Sequence, residues 1–541
     1  MLAAPTYPPS LGCVHPRPTR KPSAKNIPIR QKPAQIFPIT MISPSHKNTF
    51  VPPSPSDSNS SSSSPSPSPS PEPSADVVLA NSTISDPSIR YNWSGIQPLA
   101  KRSQIHEPQS LTELQHLIRT HSNVRIIGSG LSYEPLVAVP SSQSSSIMIS
   151  LNAPEFRGLL RTSATTATFG AATTVDDAIR LLGDIGRMLP CNPGVIGIQT
   201  LAGAIGTGTH GQGMRQSAYA DSVVSMKVVI PSGEVVHVTR ESEKYPLDAF
   251  TVSLGSLGVA VEIEMETAER RVFEVEKVTV GVDDLLDEYE NWNEANEFVK
   301  VWWFPETDKT HVWFVNEAEE KKREVFLATG GKEAIVSKEG SNGLQETIRL
   351  YTSTMAEQTK TVVVDGGVKL RTPPSPPPTP EPDRKPGEYF RTPAGSGTAD
   401  APHIRTVTRF LATESLVGWV EQLLTKGIPV PQINCEIAIP MSHFRCSVRK
   451  LMAWHQQTKY KMHYPFIFRG CGGSRAWLSA GYGEPMVWIG FLVYVAQDGT
   501  VKEDAFEMMR EVQDVLKGCG GRPHWGKHVA GDGFWDSVEA G

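Results

Sequence analysis

Long uncharged apolar runs are missing from this 541-residue chain. No stretch reaches the roughly 18 residues that a membrane-crossing helix needs, so no transmembrane helix is expected. A basic excess is missing as well: 52 Lys and Arg stand against 57 Asp and Glu, a net charge of −5. That balance argues against a nucleic-acid binder, which carries a basic stripe. Cysteine is sparse, and its six copies form no C-x-x-C pair and no Cys/His cluster with zinc spacing. Scattered reduced or buried thiols are expected, and no metal site. The N-terminus also lacks an apolar secretory core, which discounts the N-x-S/T sequons at Asn81 and Asn92.

Acidic residues are absent before Asp57, whereas Arg17, Arg20, Lys21, Lys25, Arg30, Lys32 and Lys47 precede it. A basic, hydroxyl-bearing, acid-free composition is that of a mitochondrial presequence, but the prolines forbid the amphipathic helix such presequences form. A mitochondrial address and a plain tail on a cytoplasmic protein both stay open. The tract SNSSSSSPSPSPSPEPS cannot bury enough apolar surface to offset chain entropy, so residues 1–89 are read as a disordered Pro/Ser-rich tail.

From about residue 90 the pattern becomes globular and α+β. Strand-like runs (Val124–Ile127, Ser146–Leu151, Ala167–Gly170) alternate with helix-like ones (Leu111–Arg119, Val175–Leu182). MKVVIPSGEVVHVT reads as a hairpin around Pro-Ser-Gly, and SLGSLGVAVEIEM as a glycine turn entering a strand with apolar residues at alternate positions. These elements give a first domain over 90–270. A second runs over 271–365 with a tryptophan-rich hairpin, VWWFPETDKTHVWFVN. Residues 366–402 revert to Pro, Gly and charge and are read as a flexible insertion. The second domain resumes over 403–541 with two strands, QINCEIAIP and PMVWIGFLVYV. Its amphipathic helix EDAFEMMREVQDVLK puts Phe506, Met509, Val512 and Leu516 on one face.

Three stretches could carry chemistry. In RIIGSGLSYEP a strand runs into Gly128-Ser129-Gly130-Leu131-Ser132. Glycines there let a pyrophosphate approach backbone N–H groups, though a tight structural turn reads the same way. The third glycine and the ribose acid of a Rossmann site are both lacking. PGVIGIQTLAGAIGTGTHGQG is glycine-dense yet apolar, which favours backbone wrapped closely around a large ligand over a surface connector. Thr200, Thr207 and Thr209 add hydroxyls to it, and His210 sits near its end. PHWGKH places Lys527 between a tryptophan and two histidines. There an ammonium could stabilise a developing alkoxide, or the segment could be an ordinary turn.

Taken together, GSGLS, AGAIGTGTHG and SLGSLGVAVEIEM resemble the FAD domain of the vanillyl-alcohol-oxidase-type flavoproteins. EIAIP and PHWGK resemble the C-terminal domain of the sugar-lactone and alditol oxidases, the aldonolactone oxidase family. The resemblance covers about residues 90–365 and 403–535. It implies a two-subdomain FAD-binding domain of the PCMH type, capped by a domain with an antiparallel sheet and helices. It also implies hydride transfer from a substrate CH–OH group to flavin N5. FAD would be held by Gly128, Ser129, Gly130, Leu131 and Ser132, by Gly203, Gly206, Thr207, Gly208, Thr209, His210 and Gly211, and by Gly258 to Ile263. Many family members have a flavin-linking histidine where this chain has Leu131, so FAD is expected to be bound non-covalently.

On the substrate side, the resemblance makes Arg469 the pocket arginine and pairs it with Lys527 in polarising the substrate oxygen. His524 or His210 would accept a proton. The glutamate that usually stands two residues before that arginine is Ile467 here, and the polar pocket positions of alditol oxidases fall on Gly490 and Leu492. A substrate less polar than an aldonolactone therefore stays open. So does a non-catalytic FAD-binding or interaction protein that docks through its proline-rich segments. The expected partners are a small-molecule substrate and an electron acceptor such as oxygen or cytochrome c, with room for peripheral membrane association.

Overall fold

The computed structural model describes residues 88–530, apart from 96, 141–144, 193–196, 341–343, 360–361, 365–366, 370–412, 425–431 and 497–499. Most of the N-terminal tail and of the Pro-rich insertion lies outside the described residues.

The described chain opens with a hairpin of β1 (Ile89–Tyr91) against Pro98–Lys101. A parallel three-stranded sheet follows, with Ser146–Ser150 in the centre and Asn123–Ile127 and Ile105–His106 at its sides. Helix Leu111–Thr120 covers it. Ser110 caps that helix by accepting the Glu113 N–H, and Leu114, Leu117 and Ile118 at i, i+3, i+4 spacing are its buried face.

A second, antiparallel sheet has the order Val235–Thr239, Val223–Val229, β2 (Val259–Glu266), Thr166–Gly170, Leu159–Thr162. β2 keeps the alternation read from the sequence: Val259, Val261, Ile263 and Met265 are buried, and the residues between them less so. The hairpin around Pro231-Ser232-Gly233 joins the first two strands in register Val235↔Val229.

The third sheet is antiparallel and nine-stranded, and it forms the cap. Its central strands are β3 (Phe298–Phe304), β4 (Gln432–Pro440), β5 (Phe466–Cys471) and β6 (Met486–Tyr494), in the spatial order β3-β5-β6-β4. Helices Val282–Ala295, Phe444–Gln457 and Glu503–Lys517 cover one face, where Tyr289 stacks on Phe444 at 4.0 Å and meets Phe468 edge-on. In the last helix Met509, Val512 and Leu516 are fully buried as the spacing predicts, while Phe506 is only partly so. The opposite face carries the polar side chains. Lys300↔Arg469↔Trp488 lie in one cross-strand row and Trp302↔Ile467↔Gly490↔Glu436 in the next.

Gly258, at the entry to β2, has φ +150°. A Cβ built on it would lie 2.6 Å from the Val229 carbonyl oxygen, a backbone atom that cannot step aside. Gly258→Ala should therefore lower stability by about 1–3 kcal/mol. A guanidinium midpoint equal to that of the parent protein would show that the strand entry relaxes instead.

Candidate active site

The two glycine loops meet. Ser129 Oγ donates to the Ile198 carbonyl, and Gly128 packs so closely on Thr200 that a Cβ would fall 2.3 Å from Thr200 Oγ1. Thr200 in turn caps the short helix Leu201–Gly206 by accepting the Gly203 N–H at 3.2 Å. Gly130 has φ +70°, a conformation that favours glycine and turns the chain at the crest of the first loop. Between these loops, the first sheet and the start of β2 lies a cleft of about 1050 Å³. Ligand pockets run to roughly 300–1,000 Å³, so this one suits a large ligand.

Of the residues expected to hold the cofactor, Gly128, Ser129, Ser132, Gly203, Gly206, Thr207 and Gly258 line the cleft. The rest are placed otherwise. Leu131 is partly buried and packs on the cap core. Thr209 donates to Gln199 Oε1 at 2.9 Å. Gly208, with φ +74°, turns the chain toward the cap, and Gly211 packs against Cys191. Ile263 corrects the sequence expectation: strand alternation sends its side chain into the hydrophobic core, fully buried, away from the cleft wall. The cleft contacts of that strand come from Gly258, Val259 and Ala260 at its entry.

Beyond the loops, on the polar face of the cap sheet, lies a buried ionic cluster. Arg469 on β5 donates to Glu436 on β4, and the Arg469 Nη2 also lies 3.3 Å from His210 Nε2. Between them stands β6, where Gly490 faces both Ile467 and Glu436 and offers no side chain to block Glu436 from reaching the arginine. A buried glutamate thus reaches Arg469 from another strand, while position 467 is an isoleucine. The sequence signal was present: Glu436 is the one charge in the otherwise uncharged strand QINCEIAIP. Only the register could connect it to Arg469.

The protonation states follow from these contacts. Burial alone would raise the Glu436 carboxyl, but Arg469 and then His210 hold it well below the usual carboxylate range. His210 is stacked on Trp488, with ring centroids 3.9 Å apart, and its Nδ1 lies 2.8 Å from the Gly211 carbonyl. Burial, and then Arg469, push its pKa down to about 4 against the pull of Glu436. It is therefore neutral at pH 7, protonated on Nδ1, with Nε2 facing the arginine. His524 accepts the Gly526 N–H on Nδ1 at 2.9 Å, and burial lowers its pKa to about 3. Its single proton sits on Nε2, which makes that atom a donor.

The segment that carries Lys527 is pinned from both sides. His524 N–H donates to the Glu436 carbonyl and His528 N–H to the Asn434 carbonyl, which dock it on β4. Tyr133 N–H donates to the Gly526 carbonyl, and Glu134 receives both the Val529 N–H and His528 Nδ1 at 2.9 Å, which dock it on the first glycine loop. Lys527 is partly exposed, and its pKa is lowered by desolvation and by Arg469 against the pull of Glu436. Sequence reasoning missed Lys300, which is hidden in the apolar run of β3. It lies directly across from Arg469, 2% exposed, and burial followed by Arg469 brings its pKa down to about 7.

His210, Glu436 and His524 have ligand atoms within 4.8 Å of one another. Arg469 and the Gly526 N–H occupy the lone pairs such a metal would need, so the trio reads as a hydrogen-bond network.

Comparison with known proteins agrees with this geometry. Residues 103–239 match the FAD binding domain family, and residues 263–364 and 401–533 match the D-arabinono-1,4-lactone oxidase family. The D-arabinono-1,4-lactone oxidase of Candida albicans is 26% identical over 243 residues, 42% of this chain and 43% of that enzyme. The match therefore spans less than half the length of that relative. The L-gulono-1,4-lactone dehydrogenase of Mycobacterium tuberculosis is 23% identical over 446 residues, 81% of this chain and 89% of that enzyme. Among solved structures, cholesterol oxidase from B. sterolicum shares the fold, with TM-score 0.56 and 13% identity over 82% of this chain and 86% of its own. Most of the glycine-walled cleft falls within the FAD-domain match, and Glu436, Arg469 and the PHWGK segment fall within the lactone-oxidase match, so both parts of the site are similar to those of FAD-binding aldonolactone oxidases.

Proposed function

We propose that the protein is an oxidoreductase that uses FAD to oxidise a CH–OH group of a sugar lactone or a related alcohol to C=O. The observation that carries this reading is the buried Glu436–Arg469–His210 network, joined through the Lys527 segment to the loops of the FAD cleft. FAD, when bound, supplies the hydride acceptor. It would be held by the two glycine loops and the Gly258 entry, where the backbone lies bare at the cleft wall. Leu131 has no nucleophilic nitrogen, so this binding is non-covalent.

The remaining work falls to the chain's own side chains. Arg469, fixed by two acceptors in a dry site, orients the substrate oxygen, and Lys527 polarises it. His524 Nε2–H is available as a further donor to that oxygen. Neither histidine is well placed as the proton acceptor, since the open lone pair of His210 is engaged by Arg469 and that of His524 by Gly526. Lys300 is the better assignment. Below pH about 7 it is an ammonium that repels a further proton, and above it an amine that takes the hydroxyl proton.

A second reading concerns the substrate. Ile467, Gly490 and Leu492 lie on the same sheet face as Arg469, where a polyhydroxy substrate would need hydrogen-bonding partners. Each unmatched hydroxyl costs about 1–3 kcal/mol, which favours a less polar alcohol at that end. Oxygen or cytochrome c as electron acceptor, and a mitochondrial address resting on the basic N-terminus, belong to the same proposal.

Anaerobic mixing with a panel of lactones and apolar alcohols tests the reading directly. Flavin bleaching by lactones supports the first substrate, bleaching by apolar alcohols alone the second, and bleaching by none removes the catalytic reading. Lys527→Met should slow flavin reduction by about 100-fold or more while leaving FAD bound. Reduction at the parent rate takes Lys527 out of the site. With saturating substrate the reduction rate should rise as pH increases through about 7, and Lys300→Met should abolish that rise. A rise of the same size and midpoint in the variant would assign the proton to another group. Heat or acid denaturation should release all flavin into the supernatant; a yellow pellet would contradict non-covalent binding.

A further inference from the structure

The segment just before the first glycine loop is tied to that loop at three successive residues. Trp93 N–H donates to the Gly130 carbonyl at 2.9 Å, the Trp93 indole Nε1–H to the Leu131 carbonyl at 2.8 Å, and Asn92 Nδ2 to the Ser132 carbonyl at 3.1 Å. Asn92 and Trp93 are 1% and 2% exposed, and Trp93 packs edge-on against Tyr133 at 5.4 Å. This segment continues β1, whose pairing with Pro98–Lys101 sets Arg90 opposite Ala100. So placed, Arg90 lines the FAD cleft, and its Nη2 is 3.7 Å from where a Cβ on Gly130 would stand. A side chain at Gly130 would thus meet the guanidinium, which hangs over the bare backbone of the loop.

The charge of the cleft is one-sided. Its charged lining comprises four arginines (Arg90, Arg102, Arg125 and Arg157) and one acid, Glu107. That acid is already partnered: Asn152 Nδ2 donates to Glu107 Oε1 at 2.6 Å, and Arg157 donates to the same asparagine at 2.6 Å. A neutral nucleoside or an apolar ring gains nothing from such a wall. A pyrophosphate gains a great deal, because a guanidinium meets phosphate oxygens through paired charge-assisted hydrogen bonds.

We propose that Arg90, carried by the hairpin stapled to Gly130, Leu131 and Ser132, clasps the FAD pyrophosphate, and that this clasp retains a flavin which has no covalent bond at position 131. The proposal rests on the reading of the cleft as a non-covalent FAD site. The staple keeps the arginine and the loop backbone in one rigid unit, so little side-chain freedom is lost when the pyrophosphate docks. Leu131 contributes its carbonyl to the staple and its side chain to the cap core, which holds the crest of the loop in place without chemistry.

The experiment follows FAD release from the full-chain holoprotein by recovery of flavin fluorescence, at about 50 and 500 mM NaCl, alongside rebinding of FAD and of riboflavin. For the parent protein, release should quicken several-fold at high salt, and rebinding should favour FAD over riboflavin. Arg90→Ala should release FAD about 10–100-fold faster, lose most of the salt dependence and leave riboflavin binding unchanged. Arg90→Lys should recover part of the loss, as a point charge without the fork. Salt-independent release from the parent protein would overturn the clasp whether or not the variants fold. Parent-like FAD release from Arg90→Ala would do the same. Flavin that stays with the denatured parent protein would overturn non-covalent binding itself and the clasp with it, whereas released flavin with an inert Arg90 overturns the clasp alone.

Discussion

The bond between Arg469 and Glu436 is the constraint around which the site is organised. A guanidinium in a dry interior is tolerated only with a carboxylate partner, and removing one partner of such a buried pair typically costs about 3–5 kcal/mol. Here the two groups come from β5 and β4, with β6 between them, so the pair forms only if three strands have settled in the correct register. A one-residue slip would turn Glu436 or Arg469 to the helix-covered face, where Phe468, Ile489 and Ile437 now pack. Register and site chemistry are therefore one requirement.

From this pair the rest of the arrangement can be traced outward. Arg469 faces His210, which lies flat on Trp488, the cross-strand neighbour of the arginine itself. His210 belongs to the second glycine loop, so the stack couples the FAD domain to the floor of the cap. The Lys527 segment closes the arrangement from above by leaning on β4 and on the first glycine loop together. Burial does the electrostatic tuning. It strips both histidines of charge, brings Lys300 close to neutrality, and leaves Arg469 and Glu436 as the fixed dipole of the pocket.

Much of this was legible in the sequence, for identifiable reasons. QINCEIAIP reads as a strand because β-branched residues crowd it, and it spans β4 from end to end. The alternation of β2 was equally plain, because period-two burial leaves a direct trace, whereas the tryptophan-rich hairpin, buried along most of both strands, was legible from its aromatic and β-branched runs. The glycine loops could be located from composition, and their partnership followed from family resemblance. What stayed hidden depends on long-range register. Nothing local ties Glu436 to Arg469, singles out Lys300 within an apolar strand, or shows that Ile263 faces the core while Gly258 faces the cleft. The hairpin bearing Arg90 lies at the edge of what was read as tail, where polar composition masks order that comes from contacts with residues 130–132.

The bridge from Glu134 to His528 has a consequence for the order of events during folding. Its two ends are 394 residues apart in sequence, and the bridge joins the flavin loop to the segment that carries Lys527. Closing so large a loop is entropically slow, and during synthesis the FAD domain leaves the ribosome long before its partner segment exists. The glycine loops can fold, and their cleft can open, while the wall that Lys527 brings is still untranslated. In the cell the glycine-walled cleft and the network that the Lys527 segment joins are then products of two separate moments, and a chain halted between them would hold the one without the other.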